Sequence, residues 1–291
     1  MMHTIRQWIS RAIALAVIGP IAAGFAGRVV ATDGSGHHTL LSGLSAGTGV
    51  LTLLVVCLLL ALMGLIGHTL GGRREAMLGM GFVLAWVAWT TGRLGQVYRL
   101  APEAGTLVLL AIESLVLLLA VLVIVALISR NDEDDPISSF KPHRLLPLVR
   151  EPAMLGAMGG ALVAAALIAW LFGRNDLPGQ STGVGFLAGI GAGVAGAMIA
   201  GSMRAKDEHD GTPFAPLMLG VMLCGVLTPI VGIFVPGAGA LTELSMRIDL
   251  PGYLIVSPVA WAAGALIGVP VGHSWVEHSH AHVDQHAQTT S

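Results

Sequence analysis

Charged side chains are scarce in this chain, and their scarcity excludes most soluble proteins. They make up 11% of the 291 residues, whereas about 25% is usual in a soluble domain. Aromatic side chains are also few, at 5%, and the formal net charge is only -2. A nucleic-acid-binding surface needs clustered basic side chains with interleaved aromatic ones. We therefore predict no nucleic-acid partner.

Cysteine is almost absent, and common catalytic motifs are missing. Cys57 and Cys224 both lie inside apolar runs, where a thiol usually behaves as a small buried hydrophobe. The chain has no CxxC, no HExxH and no phosphate-binding P-loop. No polar stretch is long enough to fold as a soluble catalytic domain. We leave enzymatic activity open but favour a protein that is not an enzyme.

Long apolar runs are what the chain has in abundance, since 54% of its residues are hydrophobic. A run of about 20 apolar residues crosses the hydrocarbon core of a bilayer as a helix. The sequence therefore predicts an all-α, polytopic transmembrane helical bundle, a single integral membrane domain over residues 1–291. We expect it in a cell membrane, the inner membrane of a bacterial-type cell. The eight predicted spans are 12–31, 47–67, 76–92, 105–129, 153–172, 183–202, 214–236 and 253–272.

The distribution of positive charge predicts the orientation. Cytoplasmic loops of membrane proteins carry an excess of Lys and Arg. With eight spans and a cytoplasmic N-terminus, ten of the 15 Lys and Arg lie inside and five outside, so both termini are predicted to be cytoplasmic. Span 76–92 is short, and the count weakens if it does not cross. The inner set is Arg6, Arg11, Arg73, Arg74, Arg130, Lys141, Arg144, Arg150, Arg204 and Lys206, and the outer set is Arg28, Arg93, Arg99, Arg174 and Arg247.

The first span has a second interpretation. A charged start at Met1–Arg11 followed by an apolar stretch also fits a cleaved secretory signal. Arg28 and the residues after it extend the segment past the usual length of a signal. We therefore predict that the span is retained, with cleavage as the alternative.

A polar connection divides the spans into two groups of four. Residues 130–152 hold an acidic cluster followed by a basic one, and Pro142, Pro147 and Pro152 discourage helix there. The sequence predicts a cytoplasmic linker here, between halves 1–129 and 153–272. A histidine-rich tail, 273–291, follows the second half.

Small residues recur at four-residue spacing in span 183–202. Such a stripe lets another helix backbone approach closely. The partner is either a helix of the same chain or a second copy or subunit of a membrane complex. Its members are Gly185, Gly189, Gly193, Ala197 and Gly201.

Glu113 is the only ionisable side chain deep inside an apolar run. It lies eight residues into span 105–129, about 12 Å along a helix axis, which is too deep for a short side chain to reach the headgroups. An acid at this depth is expected to face a bundle interior, a cavity or a partner. Thr106, two turns earlier, and the adjacent Ser114 extend a polar seam. We predict either a proton or cation site or a neutral hydrogen-bonded tie between helices.

Histidines in the tail predict a second, metal-binding site. If the tail is helical, His278, His282 and His286 share one face at four-residue spacing, and His280 lies nearby. Imidazole is a common ligand of zinc and nickel. A divalent metal is therefore the cofactor that the sequence suggests, with weak incidental binding by a tail as the alternative.

Two functions fit these features. The first is a transporter or permease-like protein for a small solute or cation, which Glu113 and proline-interrupted spans favour. The second is a structural or assembly subunit of a larger membrane complex, which the scarcity of polar groups within the spans favours.

Overall fold

The computed structural model describes residues 2–30, 39–43, 45–101, 103–128, 151–175, 177–203 and 214–289, with side chains described as far as Glu277. The regular elements within these ranges are helices. In chain order the α-helices are α1 (Met2–Ile13), α2 (Gly19–Ala26), α3 (Ala46–Gly71), α4 (Arg73–Thr91), α5 (Leu94–Leu100), α6 (Ala104–Ile128), α7 (Pro152–Phe172), α8 (Pro178–Met203), α9 (Phe214–Gly232), α10 (Ala238–Arg247), α11 (Gly252–Ile255) and α12 (Pro258–Thr289). A π-helical segment, Ala14–Ile18, joins α1 to α2, and another, Ile233–Gly237, joins α9 to α10.

Seven segments in the described part of the chain are long and apolar enough to cross a membrane, which confirms the predicted all-α membrane bundle. Large apolar side chains on these helices face outward, such as Leu51 and Leu58 of α3, which are 63% and 70% exposed. Such surface suits lipid and not water. The seven segments are Thr4–Ala26, Ala46–Gly71, Ala104–Ile128, Pro152–Phe172, Gly179–Met203, Phe214–Gly237 and Pro258–Glu277.

The third predicted span is helix α4, which is not among the seven. Three charged residues at its start, Arg73, Arg74 and Glu75, reduce its hydropathy. Yet α4 runs beside α1–α2 from Arg11 to Gly27. The Arg11 guanidinium binds the Glu75 carboxylate at one end, with Nε donating to Oε2 at 3.0 Å, and Gly27 lies against Thr90 at the other. Because this stretch coincides with most of the predicted first span, 12–31, we keep the prediction of eight passes.

Two apolar helical segments begin at other residues than the predicted spans. The first begins at Thr4, whereas the predicted span begins at residue 12, and Arg11 within this segment is paired with Glu75. The last span begins at Pro258 and not at residue 253. Gly252–Ile255 forms the separate helix α11, and Pro258 is well suited to the start of the next helix because its missing N–H needs no partner there.

The last span is the centre of the bundle. In its most apolar window 72% of residues are buried, against 22% for α7. Helix α12 packs against α4 and α6 of the first half and α8 and α9 of the second. One apolar core therefore contains residues of both predicted halves. The predicted linker, 130–152, lies almost wholly outside the described residues.

The glycine stripe of α8 packs on α12 of the same chain. A Cβ at Gly185 would lie 2.5 Å from the Ala260 carbonyl oxygen, one at Gly189 would overlap the Gly264 carbonyl oxygen, and one at Gly193 would lie 2.5 Å from the Val269 carbonyl oxygen. The facing helix has its own stripe, which the sequence analysis missed: Gly264, Gly268 and Gly272. Two backbones thus meet directly along several turns.

Short helices close the end of the bundle that we predict to be external. Tyr98 of α5 donates a hydrogen bond to the Leu254 carbonyl oxygen at 2.9 Å, and the Thr242 hydroxyl of α10 donates to the Tyr98 carbonyl oxygen at 3.0 Å. Burial raises the pKa of Tyr98 above its ordinary value, so the phenol stays protonated and able to donate. These contacts attach α5, α10 and α11 to one another.

The eight-pass orientation can be tested with single cysteines placed on either side of α4 and α5, at Arg74 and Glu103. In a background without Cys57 and Cys224, a membrane-impermeant maleimide should label Glu103→Cys in intact cells, because Glu103 is exposed at the predicted outer end. Arg74→Cys, exposed at the other end of α4, should be labelled only after the cells are permeabilised. Equal labelling of both in intact cells would show that α4 does not cross.

Candidate functional site

Glu113 is fully buried, with 0% exposure, on helix α6. Its carboxylate oxygen Oε2 accepts a hydrogen bond from the backbone N–H of Leu41 at 3.0 Å. The Leu40 N–H and the Thr39 hydroxyl also interact with the carboxyl group. The acid therefore faces the segment that precedes α3, which we call the Glu113 loop (residues 39–43).

The Glu113 loop reaches the acid because small residues make room for it. Gly49 of α3 has no side chain, and a Cβ there would overlap the Leu40 carbonyl oxygen. A Cβ at Gly43 would lie 2.5 Å from a methyl carbon of Val29. Leu40 itself has 0% exposure and belongs to the main core. The loop is thus inserted among the helices and does not lie on the surface.

A turn inside the loop points its backbone N–H groups at the acid. The Thr39 hydroxyl oxygen accepts from the Ser42 N–H at 3.3 Å and lies 2.5 Å from the Ser42 hydroxyl oxygen. This closes residues 39–42 into one turn and leaves the Leu40 and Leu41 N–H groups available. Consecutive N–H groups that converge in this way form an anion-binding concavity.

The two carboxylate oxygens of Glu113 differ in their hydrogen bonding. Oε1 is buried and has no hydrogen-bond partner among the described residues. Buried polar atoms nearly always have a partner, so this oxygen has capacity for a proton, a cation or another donor. The carboxyl group is thus anchored through one oxygen and chemically available through the other.

Ser114 has a different partner from Glu113. Its hydroxyl donates to the Gly225 carbonyl oxygen of α9 at 2.7 Å. Within a helix that carbonyl would accept the N–H of the residue four positions later, but this residue is Pro229, which has no N–H. Ser114 therefore satisfies the carbonyl that the proline leaves without a donor, and this contact favours a structural role for Ser114.

Trp261 lies beside this contact. Both its Cδ1 and the Ser114 hydroxyl oxygen would be within 3.3 Å of a Cβ placed on Gly225. Its indole Nε1 is buried and has no hydrogen-bond partner among the described residues. A second buried polar atom with no described partner therefore lies beside Ser114, the residue after Glu113. Thr106, the third residue of the predicted seam, is buried nearer the start of α6, and no described contact joins it to Glu113.

The predicted metal ligands lie beyond the described side chains. The backbone at His278, His280, His282 and His286 belongs to helix α12, as the four-residue spacing requires. Among the side chains that the structure describes, no group of three or more His, Cys, Asp or Glu could hold a metal ion. The metal site of the tail stays a prediction.

One motif was overlooked at the sequence level. Gly43–Gly47 reads GLSAG, which has the GxSxG spacing of the nucleophile elbow of hydrolases. That elbow joins a strand to a helix, whereas no strand precedes Ser45 in the described residues. Ser45 instead begins α3, and its hydroxyl oxygen accepts from the Thr48 N–H at 3.5 Å. We interpret it as a helix cap.

No protein-family model, curated protein or solved structure matches this chain. Its seven apolar segments make it a multi-pass membrane protein.

Proposed function

We propose that this protein is a transporter or permease-like protein for a small solute or cation, with Glu113 as the group that binds a proton or cation. The observation that supports this most is the asymmetry of the Glu113 carboxyl group. Oε2 is bound by the Leu41 N–H, whereas Oε1 is buried and has no partner among the described residues. Ionisable groups kept inside a membrane at an energetic cost commonly mark proton or ion pathways.

The Glu113 loop is suited to act as a gate in such a protein. It connects α2 to α3 at the end of the bundle that we predict to be external. The loop thus lies between Glu113 and that surface. The loop binds Glu113 through a backbone hydrogen bond, which is weaker than the packing of one helix against another. Displacing the loop would expose the acid to the outer solution.

Helix α9 adds a second feature of transporters. Pro229 interrupts its hydrogen bonding, and at Val235 the backbone leaves helical geometry. Interrupted helices next to a buried ionisable group are common at transport sites. In this protein Ser114, the residue after Glu113, donates to the Gly225 carbonyl oxygen that Pro229 leaves without a donor.

The alternative is a structural or assembly subunit of a membrane complex. The Leu41 contact supports it, because the same hydrogen bond also ties the Glu113 loop to α6. A homo-oligomer through residues 183–202 belongs to this alternative. However, Gly185, Gly189 and Gly193 already face α12 of the same chain, so an oligomer would have to use another face of α8.

Reconstitution tests the transport proposal. Purified protein in liposomes that contain a pH-sensitive dye should conduct protons under a potassium diffusion potential, with Na⁺ and K⁺ fluxes measured in parallel. Glu113→Gln should abolish the charge-dependent flux, because the amide cannot ionise. Glu103→Gln makes the same change at an exposed acid before α6 and should leave the flux unchanged.

A hydrophobic carbodiimide gives a readout that does not depend on the solute. It attacks a protonated carboxyl group in apolar surroundings and leaves a stable acylurea adduct. We expect the adduct on the peptide that contains Glu113, and none on that peptide in Glu113→Gln. If wild-type protein shows no flux of these ions and Glu113 does not react, the subunit alternative is favoured.

A further inference from the structure

A second site has concentrated positive charge and shares no described contact with Glu113. It is a small pocket where α5, α10 and the turn after α7 meet. Among the described residues its polar lining is Arg99, Arg174, Asn175 and Ser245, with no carboxylate. The remaining wall is apolar and consists of Ile248, Leu250 and Ile255.

Arg99 is held rigidly at this pocket. Its Nη2 donates to the Ser245 carbonyl oxygen at 2.8 Å and its Nε donates to the Ser245 hydroxyl oxygen at 3.3 Å. Ser245 is 1% exposed, and its hydroxyl donates in turn to the Thr242 carbonyl oxygen at 3.1 Å. A guanidinium has five N–H donors, so this anchoring uses only some of them. The others remain for a ligand.

Arg174 supplies the second cation. It is exposed, and no hydrogen bond or ion pair joins it to the described residues. Arg247, on α10 near the same pocket, contrasts with it because a carboxylate of Glu243 lies 2.6 Å from its Nη2. The C-terminal end of a helix attracts positive charge. Taken singly, this accounts for Arg174 after α7 and for Arg99, which lies in the last turn of α5 and binds the Ser245 carbonyl oxygen near the end of α10. It does not account for two arginines in one pocket whose described lining has no carboxylate.

The size of the pocket limits the ligand. The pocket is small, about 10 Å³, which is room for about one water-sized group. It therefore holds one oxygen of a tetrahedral anion, and the rest of the anion lies outside it. Arginine forks match phosphate oxygens in pairs, and the Asn175 amide adds a neutral donor. A phosphate group meets all these conditions.

We propose that Arg99 and Arg174 together bind a phosphate group at this end of the bundle, carried either by a lipid headgroup or by a soluble phosphate. The surroundings suit a headgroup, because Met246 and Ile248 beside the pocket are apolar and 64% and 63% exposed. Apolar side chains next to arginines are typical of the boundary between headgroups and acyl chains. The site is independent of Glu113, so it stands whether or not the protein transports anything.

The test uses full-length protein in detergent after removal of bound lipid. In one arm, inorganic phosphate is titrated and the melting temperature is recorded. In the other, phosphatidylglycerol is added and retained lipid is counted by native mass spectrometry. Arg174→Gln is the main variant, because Arg99 also supports α10, and Arg247→Gln is the control with the same charge change outside the pocket.

We expect Arg174→Gln to weaken binding about tenfold or more, as the loss of charge-assisted hydrogen bonds implies, and Arg247→Gln to bind as wild type. Binding of phosphatidylglycerol without inorganic phosphate identifies a lipid site, and saturable binding of inorganic phosphate identifies a soluble ligand. Equal weakening by both variants would show general attraction to positive charge and would overturn the proposal. Absence of binding in both arms would overturn it as well.

Discussion

The Glu113→Leu variant should melt below the wild type in detergent by about 4 to 8 °C, whereas Glu113→Gln should melt close to it. Glutamine keeps an oxygen that accepts the Leu41 N–H. Leucine removes that acceptor and leaves the N–H groups of the Glu113 loop buried without a partner. Each such group costs about 1 to 3 kcal/mol.

The leucine substitution also has a stabilising effect. Leucine also removes the cost of burying an acid in the membrane, which is about 2.5 to 3.5 kcal/mol for an ionised group on insertion scales. That cost is smaller when the carboxyl group is neutral or hydrogen-bonded. Because the Leu40 and Leu41 N–H groups both lose their acceptor, we expect net destabilisation of about 2 kcal/mol.

Thermal melting and ion flux together separate the roles of Glu113. A Leu variant that melts lower and a Gln variant that is stable but inactive would support both the anchoring of the loop and the transport role. A stable, active Gln variant would leave only the structural tie. A Leu variant that melts as high as wild type would contradict a role of Glu113 in anchoring the loop. Glu103→Leu, at the exposed acid just before α6, controls for a general effect of replacing an acid by leucine.

The sequence identified Glu113 but not its partners. A lone acid in an apolar run is visible because ionisable residues there are rare. The partners are backbone N–H groups of Leu40 and Leu41, which every residue except proline possesses, so no residue type signals them. The contact also joins positions 72 residues apart, beyond the reach of any local pattern.

Ser114 and the glycine stripe also show that a sequence pattern does not identify the partner of a residue. The sequence indicated that Ser114 belonged with Glu113, but adjacent residues on a helix point about 100° apart, and Ser114 faces Gly225 of α9. The stripe on α8 was recognised from its spacing, while its partner was left open between a helix of the same chain and a second protein. Periodicity identifies a face that packs closely but does not identify what packs there. The matching spacing of Gly264, Gly268 and Gly272 was the available signal.

Replacing Gly189 by valine should disrupt the bundle more than the same change at any exposed glycine of α8. A Cβ at Gly189 would overlap the Gly264 carbonyl oxygen, and the next contact, at 2.7 Å, is the Gly264 carbonyl carbon. Backbone atoms cannot rotate away as a flexible side chain can, so the two helices must separate. Overpacking of a core usually costs about 1 to 3 kcal/mol and sometimes more. Because α12 is the most buried span, we expect the upper end of this range.

Gly201 provides a matched control on the same helix. A Cβ there would have no neighbouring atom within 4 Å, so Gly201→Val should fold as wild type. Gly201→Ala should be neutral or slightly stabilising, since alanine favours helix over glycine by up to about 1 kcal/mol, whereas Gly189→Ala should already lower the melting temperature. The valine variants and the alanine variants at the two positions are compared by their yield after detergent extraction and by thermal melting. Similar losses at the two positions would mean that helix propensity decides the outcome, and would contradict a direct backbone contact between α8 and α12.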